Sequence, residues 1–281
     1  MKKSLVNAII RYTILIIIGF ILIYPVLWMI GGAFSYNADI FGNARIFPPL
    51  ERINLNHFPD AWQLSANNTI VFYYMNTLRF LIPRVLFTLI SCTITAYAIS
   101  RFNFPGKKIV FTIVIATLLM PEVAFRIPVF ILMRDLNLLN TFTSLWIQDA
   151  FAVNSFFVFM IIQFMRTIPR DLDEAAAIDG CSPLQTLWYI LIPVLKPILI
   201  SVGLLTFMWG MNDFLGPLIY LTGQDTRPLS LALSVLLDPT ELVQIGRVLA
   251  AATLGLLPTI AIFFACSRYF VEGITQSGSK E

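Results

Sequence analysis

The chain has 281 residues, 58% of them hydrophobic and only 12% charged, with a formal net charge of +3. Soluble domains run at about 45–50% apolar and about 25% charged, so folding in water would leave too much apolar surface exposed. The class is an all-α polytopic membrane protein, and the net charge is too small to point to nucleic acid.

Crossing the hydrocarbon core takes about 20 helical residues, and six segments qualify. Lys2 and Lys3 precede the first, residues 12–34, which has no small-residue cleavage site and reads as an uncleaved span. Residues 35–69 form a polar, irregular loop that holds the single histidine, His57, expected to be solvated. The second span is 85–100, with an N-terminal extension from Asn76. Arg101-Phe-Asn-Phe-Pro-Gly-Lys-Lys108 then makes a tight turn, broken at Pro105-Gly106. The third span is about 109–123, and at its outer end Pro121 and Pro128 bracket a break or a kink. Glu122 and Arg126 stand four apart there and can pair, as a gate or as a surface ion pair. The fourth span is 145–164, the fifth 195–221 and the sixth 248–270. Between the last two, the polar loop 222–247 carries Gly223, Pro228 and Pro239. Cys92, Cys181 and Cys266 are scattered without disulfide or metal spacing. With no internal repeat and no long linker, residues 1–281 read as a single transmembrane domain.

An even number of spans puts both termini on one side, and the positive-inside rule says which. All six lysines (Lys2, Lys3, Lys107, Lys108, Lys196 and Lys280) fall on one face, at the termini and in the second and fourth connections. Arg11, Arg101, Arg166, Arg170 and Arg268 join them, and the other arginines are assigned to the outer side or its interface. Both termini are therefore expected in the cytoplasm, as is the fourth connection, 165–194.

That connection is polar where the flanking segments are apolar. After Pro169, Asp171, Asp173 and Glu174 cluster where carboxylates meet the positive end of a helix dipole, and Asp171 and Glu174 have the spacing of an N-cap and its third residue. Ala175-Ala176-Ala177 is strongly helix-forming, and Gly180 fits a helix stop that needs positive φ or space that a side chain would deny. Ser182-Pro183-Leu184-Gln185 has the spacing of a capping box with proline at the first helical position. Leu184, Leu187, Trp188 and Leu191 follow as an apolar stripe, with Leu187 and Trp188 expected in the core. Pro193 and Pro197 are expected to separate this second helix from the fifth span. A helix pair lying on anionic lipid would present a basic face. This one is acidic (Asp171, Asp173, Glu174, Asp179), which favours docking on a protein.

Within the fifth span, Asp213 lies beside Asn212. An ionisable group at membrane depth faces a cavity or a partner, so Asp213 reads either as a polar wall of a translocation path or as a structural hydrogen bond between helices.

Glu174-Ala175-Ala176, then Gly180, Ile190 and Ile192-Pro193, resembles the EAA signature of ABC importer permeases, with isoleucine where the family has leucine before the last proline. Ala96-Tyr-Ala-Ile-Ser-Arg-Phe-Asn-Phe-Pro-Gly-Lys107 is similar to the AAYALARxxFPGK segment of the carbohydrate importers, in the maltose-type second permease subunit. Trp209-Gly-Met-Asn-Asp-Phe-Leu-Gly-Pro-Leu218 resembles that subunit's WNDF…PL stretch with two residues inserted, and Gly273–Lys280 resembles its GLTAGAVKG ending. The resemblance implies a type I ABC importer permease fold and a non-catalytic subunit in a bacterial cytoplasmic membrane. Its partners would be a second, different permease, two ATP-binding subunits that use ATP and Mg2+, and an external solute-binding protein. The cargo would be a sugar or oligosaccharide. The chain itself would bind no cofactor. Glu174, Ala175, Ala176, Ala177, Asp179, Gly180, Ile190 and Pro193 would couple to an ATPase. Asn212, Asp213 and Trp209 are candidates for the path, and Gly223, Asp225 and Arg227 for the loop facing the binding protein. The C-terminal tail, 271–281, would contact the ATPase pair.

Two other classes fit less well. An ion-coupled secondary carrier would need buried carboxylates in several spans and often two repeated halves, and Asp213 is one clear candidate. An intramembrane enzyme would need a nucleophile with histidine or clustered metal ligands. With one histidine in an exterior loop and no GxxxxGK[ST] stretch, neither proteolysis nor ATP hydrolysis is expected of this chain.

Overall fold

In the computed structural model, residues 2–42, 45–65, 67–237 and 244–278 are described, and all regular structure among them is helical. α1 (Lys2–Ala33) is apolar on every side, with Ile9, Ile16 and Leu22 all exposed, which suits hydrocarbon rather than water. α2 (Asn37–Ile40) and α3 (His57–Trp62) interrupt the loop expected to be irregular. α4 (Ile70–Arg101) spans 32 residues and starts well before the expected second span, with Pro83 inside it. α5 (Lys107–Leu118) and α6 (Val123–Asp135) meet at a bend of 107°, so the proline-flanked segment is a sharp break and not a kinked continuation. α7 (Ser155–Met165) is the helical part of the expected fourth span. Its 11 residues rise only about 16 Å, short of the ~30 Å core. The preceding residues form 3₁₀ turns, Phe142–Leu145 and Ile147–Phe151, and α7 starts where the Asn154 side chain accepts a bond from the Phe157 amide, 3.3 Å.

α8 (Asp171–Ile178) is the polar insert. α9 (Pro183–Gln185), a π-helical stretch (Thr186–Leu191) and α10 (Ile192–Met211) follow as one rod of 29 residues. The prolines therefore do not separate the insert's second helix from the fifth span. Pro193 follows directly on the π stretch, so the amide it lacks falls at a change of register inside the rod and not at a helix end. α11 (Leu215–Tyr220), α12 (Leu229–Val235) and α13 (Ile245–Gly278) complete the series. Among the described residues, four helices are long and apolar enough to cross a membrane, or up to five if the bent pair counts as one span. Of the tail at 271–281, the last three residues lie outside the described residues, as do all side chains from Tyr269 onward.

Two compact units divide the chain: Met1–Tyr73 with Ala232–Leu257, and Tyr74–Leu231 with Pro258–Glu281. In the first, His57 is buried, not solvated, because its Nε2 lies 3.0 Å from the Ser35 carbonyl oxygen. Arg247 closes the same unit by donating to the carbonyls of Asp60 (3.0 Å) and Gln63 (2.7 Å).

Among the described residues, the second unit has two apolar cores. One joins Cys92, Ala96 and Tyr97 of α4 to Phe157, Val158, Ile161 and Met165 of α7, and to Leu187, Leu191, Leu195 and Ile198 of the rod. Spacing by four drifts forward around an α-helix of 3.6 residues per turn and backward around the wider π turn. The two drifts offset each other, which keeps Leu187, Leu191 and Leu195 on the core side. Trp188 and Leu184 lie outside, 65% and 72% exposed, so Trp188 is not the core residue its spacing predicts. The other core packs Phe80, Leu81, Met133, Leu145, Met211 and Tyr220.

Candidate functional site

The polar insert is built as a capped stub. Arg170 is the N-cap and Asp171 the first helical residue, so Asp171 does not cap the helix. Asp171, Asp173 and Glu174 fill its first turn instead. Its end is a Schellman arrangement: the Gly180 amide donates to Ala177 O (3.1 Å) and the Cys181 amide to Ala176 O (2.9 Å). Gly180 has φ of +80°, and a Cβ added there would meet nothing within 4 Å. Of the two reasons for a glycine, conformation is therefore the operative one. Gly180→Ala is expected to cost about 1 kcal/mol and Gly180→Asn less, since asparagine tolerates this region. Heat denaturation of the purified chain checks this; a larger loss for asparagine would mean that size, not φ, sets the requirement.

The expected capping box is present. Ser182 Oγ accepts from the Gln185 amide (3.4 Å), and the Ser182 amide donates to Gln185 Oε1 (2.8 Å). Only Ala176 of the stub is buried. Glu174, Ala175, Ala177, Asp179 and Gly180 are exposed, Ile178 is 86% exposed, Ile190 is half-buried and Pro193 is exposed. The outer face therefore combines small side chains, one apolar tip and a negative rim, a surface able to meet a basic groove.

The last turn of α4 holds this stub. Arg101 Nε lies 3.1 Å from Asp173 Oδ2, and its Nη2 donates to Ile168 O at 3.1 Å. Arg170 returns a bond to Ser100 O (3.3 Å), and Tyr97 donates its hydroxyl to Pro183 O (3.0 Å).

A second polar group sits along α4 and at the end of α10. Arg84 Nη1 donates to Asp213 Oδ2 (3.0 Å), and its Nε faces Asp149 Oδ2 at 3.5 Å. Asp213 Oδ1 accepts from the Gly216 amide at 3.0 Å, and a Cβ on Gly216 would fall 2.8 Å from the same carboxylate. The Asp213 carbonyl accepts from Ser230 Oγ (2.7 Å). This is where the fifth span breaks between α10 and α11. Sequence reading found Asp213 but not its partners. The sequence places Arg84 with the arginines of the outer side or its interface, and Asp149 falls inside the expected fourth span. Opposite charges inside separate apolar segments were the available signal. Asn212 is exposed and bonds back to Met208 O (2.8 Å). Trp209 is half-exposed and stacks on Phe157, centroids 5.1 Å apart.

The start of the 222–247 loop is fastened down. Asn140 Oδ1 accepts from the amides of Thr222 (3.2 Å) and Gly223 (2.9 Å). Asn76 Nδ2 donates to the carbonyls of Asp225 (2.8 Å) and Arg227 (2.9 Å). The Asp225 side chain is left exposed on a fixed backbone. Asn76 and Asn140 are further positioning residues that spacing alone did not reveal. Residues 238–243 of the loop lie outside the described residues.

Known proteins resemble this arrangement over nearly its full length. A family profile described as "Binding-protein-dependent transport system inner membrane component" matches residues 90–276, which include the stub, the rod and Asp213. The lactose transport system permease protein LacG of Rhizobium radiobacter is 28% identical over 269 residues, covering 96% of this chain and 95% of that one. The galactooligosaccharides transport system permease protein GanQ of Bacillus subtilis is 26% identical over 281 residues, covering 99% and 97%. Among solved structures, a chain of a bacterial ABC transporter involved in the import of the acidic polysaccharide alginate superposes with a TM-score of 0.81 at 23% identity, covering 96% of this chain and 98% of that chain. At that identity the likeness establishes the fold.

Proposed function

We propose, on the premise that this chain belongs to the family of binding-protein-dependent transport system inner membrane components, that it is one permease subunit of an ATP-driven importer of a sugar or oligosaccharide. The observation that carries the coupling part of this reading is the stub at 171–180: a short helix capped at its end, with an exposed acidic and small-residue face. A bilayer has no use for such a segment, and a groove on an ATPase does.

In this reading the chain crosses the membrane six times, α5 with the bent α6 and α7 with its 3₁₀ approach supplying the third and fourth crossings. Both termini and the stub face the cytoplasm. Two ATP-binding subunits consume ATP and Mg2+, and closure of that pair moves the stub. A second, different permease completes the path. Glu174 offers a charge-assisted contact to a basic ATPase residue, and Ala175, Ala177 and Ile178 fill the groove. Asp213, Asn212 and Trp209 line the path, where exposed amide and indole groups suit sugar hydroxyls. Gly223, Asp225 and Arg227 face the external binding protein.

The Arg84–Asp149–Asp213 group is what an ion-coupled carrier would also need, but its charges are already paired within the chain and the family is that of ATP-driven importers. Deleting this subunit is expected to abolish ATP-dependent uptake of at least one member of a panel of labelled neutral and acidic oligosaccharides, and a reporter fused after Glu281 is expected to read cytoplasmic. Unchanged uptake across the panel overturns the function, and an external reporter signal overturns the orientation.

A further inference from the structure

The insert reaches the membrane helices by two routes. One is covalent: Ser182 leads straight into the rod. The other is the last turn of α4, which touches the insert on both flanks, at Ile168, Arg170 and Asp173 before the stub's middle and at Pro183 after it. The bonds to Ile168, Ser100 and Pro183 are directional hydrogen bonds, and the central contact, Arg101 with Asp173, is a sheltered ion pair whose Nε–H is not aligned for a hydrogen bond. The Arg101 side chain is 8% exposed and Asp173 22%. A charge pair so placed is little screened by salt, and the Nη2 bond to the Ile168 carbonyl fixes the orientation of the guanidinium beside Asp173.

The two routes meet again further along. Seventeen residues of helix separate Arg101 from Arg84, about 26 Å. At Arg84, α4 is tied to Asp213, just past the end of the rod. The rod is thus fastened to α4 at its start, through Pro183 and Tyr97, and just beyond its end, through Asp213 and Arg84. Between these points the two helices share the core of Cys92, Ala96, Leu191, Leu195 and Val202. Apolar surfaces in contact slide past one another more easily than charge-assisted bonds break. A pair of helices braced by polar bonds at both ends moves together.

We propose that Arg101 is a positioning residue of the transport cycle. Its clamp on Asp173 and Ile168 makes α4 follow the stub, so that α4 and the rod travel as one braced pair when the ATPases close. This rests on the reading that the stub docks on an ATPase. It assigns α4 a share in force transmission that the EAA segment does not itself contain.

The test uses the whole importer, purified through a tag on this chain and reconstituted in liposomes. The transported probe is the labelled glycan taken up best in the panel above. The readout is ATP hydrolysed per glycan transported. A merely structural defect reduces the number of intact complexes, lowering both rates at an unchanged ratio. A broken clamp lets the ATPases cycle while α4 lags. Arg101→Gln is expected to raise the ratio about tenfold, the size of effect typical for residues along a coupling network, with hydrolysis within about twofold of the parent. Arg101→Lys, which keeps the charge without the fork, is expected to fall between. Exchange of the two charges, Arg101→Asp with Asp173→Arg, is expected to bring the ratio back only in part, because an aspartate cannot donate to the Ile168 carbonyl and both exchanged charges oppose their helix ends. A cysteine at Ile178, crosslinked to the ATPase, runs in parallel. No crosslink in the otherwise unaltered importer would sink the docking reading itself. A crosslink in parent and variants, with the ratio unchanged in Arg101→Gln, overturns the clamp alone.

Discussion

Glu174→Lys is expected to abolish uptake while the chain still reaches the membrane in normal amount. Glu174 is exposed in the first turn of α8, and its carboxylate makes no ion pair among the described residues. Within the chain the substitution therefore costs little: about 0.3–1 kcal/mol, from a positive charge placed at the positive end of a short helix. Across a docking contact the effect is far larger. An attraction becomes a like-charge juxtaposition, and such reversals cost several kcal/mol, where every ~1.4 kcal/mol is tenfold in affinity. The asymmetry separates the two roles open to Glu174. If it only steadies the helix, uptake falls modestly and in proportion to stability. If it meets a cation on the ATPase, uptake vanishes while abundance holds, and Glu174→Gln, which removes the charge without reversing it, keeps partial activity. Uptake of labelled glycan, normalised to membrane-inserted chain by immunoblot, decides between them. Normal transport in the lysine variant ends the docking role.

Local chemistry made the insert legible in the sequence. Ser182, Pro183 and Gln185 form the predicted capping box because all the required groups lie within four consecutive residues. Gly180 stops α8 because the conformation it adopts is open to few other residues. The apolar segments were equally plain, although α4 and the rod extend well past their hydropathic centres, since helix continues for as long as nothing breaks it. Facing was harder to read. An apolar stripe marks the core side of a helix when the rest of it faces water, but Trp188 and Leu184 belong to the stripe and lie outside. The π turn rotates the rod in addition, which no α-helical period anticipates. His57 is buried against expectation for a related reason. Its loop is polar in sequence, yet it folds back so that the Ser35 carbonyl, 22 residues away, takes up the ring nitrogen. The triad was hidden because its members lie 65 and 64 positions apart in sequence, and only the fold brings Arg84, Asp149 and Asp213 together.

That triad sets the largest expected loss of stability. Arg84→Leu removes the cation that pairs with both carboxylates, and the side chains of Asp149 and Asp213 are only 14% and 20% exposed. Removing one partner of a buried pair costs about 3–5 kcal/mol because a charge is left uncompensated. Here two are left, facing each other across the vacated space. The residual exposure lets water enter and holds the expected loss near the lower end of that range. The break after α10 should fail first, because Asp213 also holds the Gly216 amide that starts α11. Asp213→Asn should be milder: an amide oxygen still accepts from Gly216, and Arg84 keeps Asp149. The informative variant is the triple substitution Arg84→Leu, Asp149→Asn, Asp213→Asn. Replacing a whole buried ionic group with neutral residues is often close to neutral for folding. The triple variant should therefore recover most of the stability that Arg84→Leu loses, without recovering transport, since α4 is no longer tied to the end of the rod. The midpoint temperature at which detergent-solubilised chain stops running as a monodisperse peak measures the first quantity, and glycan uptake the second. If Arg84→Leu melts with the parent, the charges are solvated and the triad braces nothing. If the triple variant transports normally, the tie at Asp213 contributes packing alone, and the rod is driven through its covalent end at Ser182.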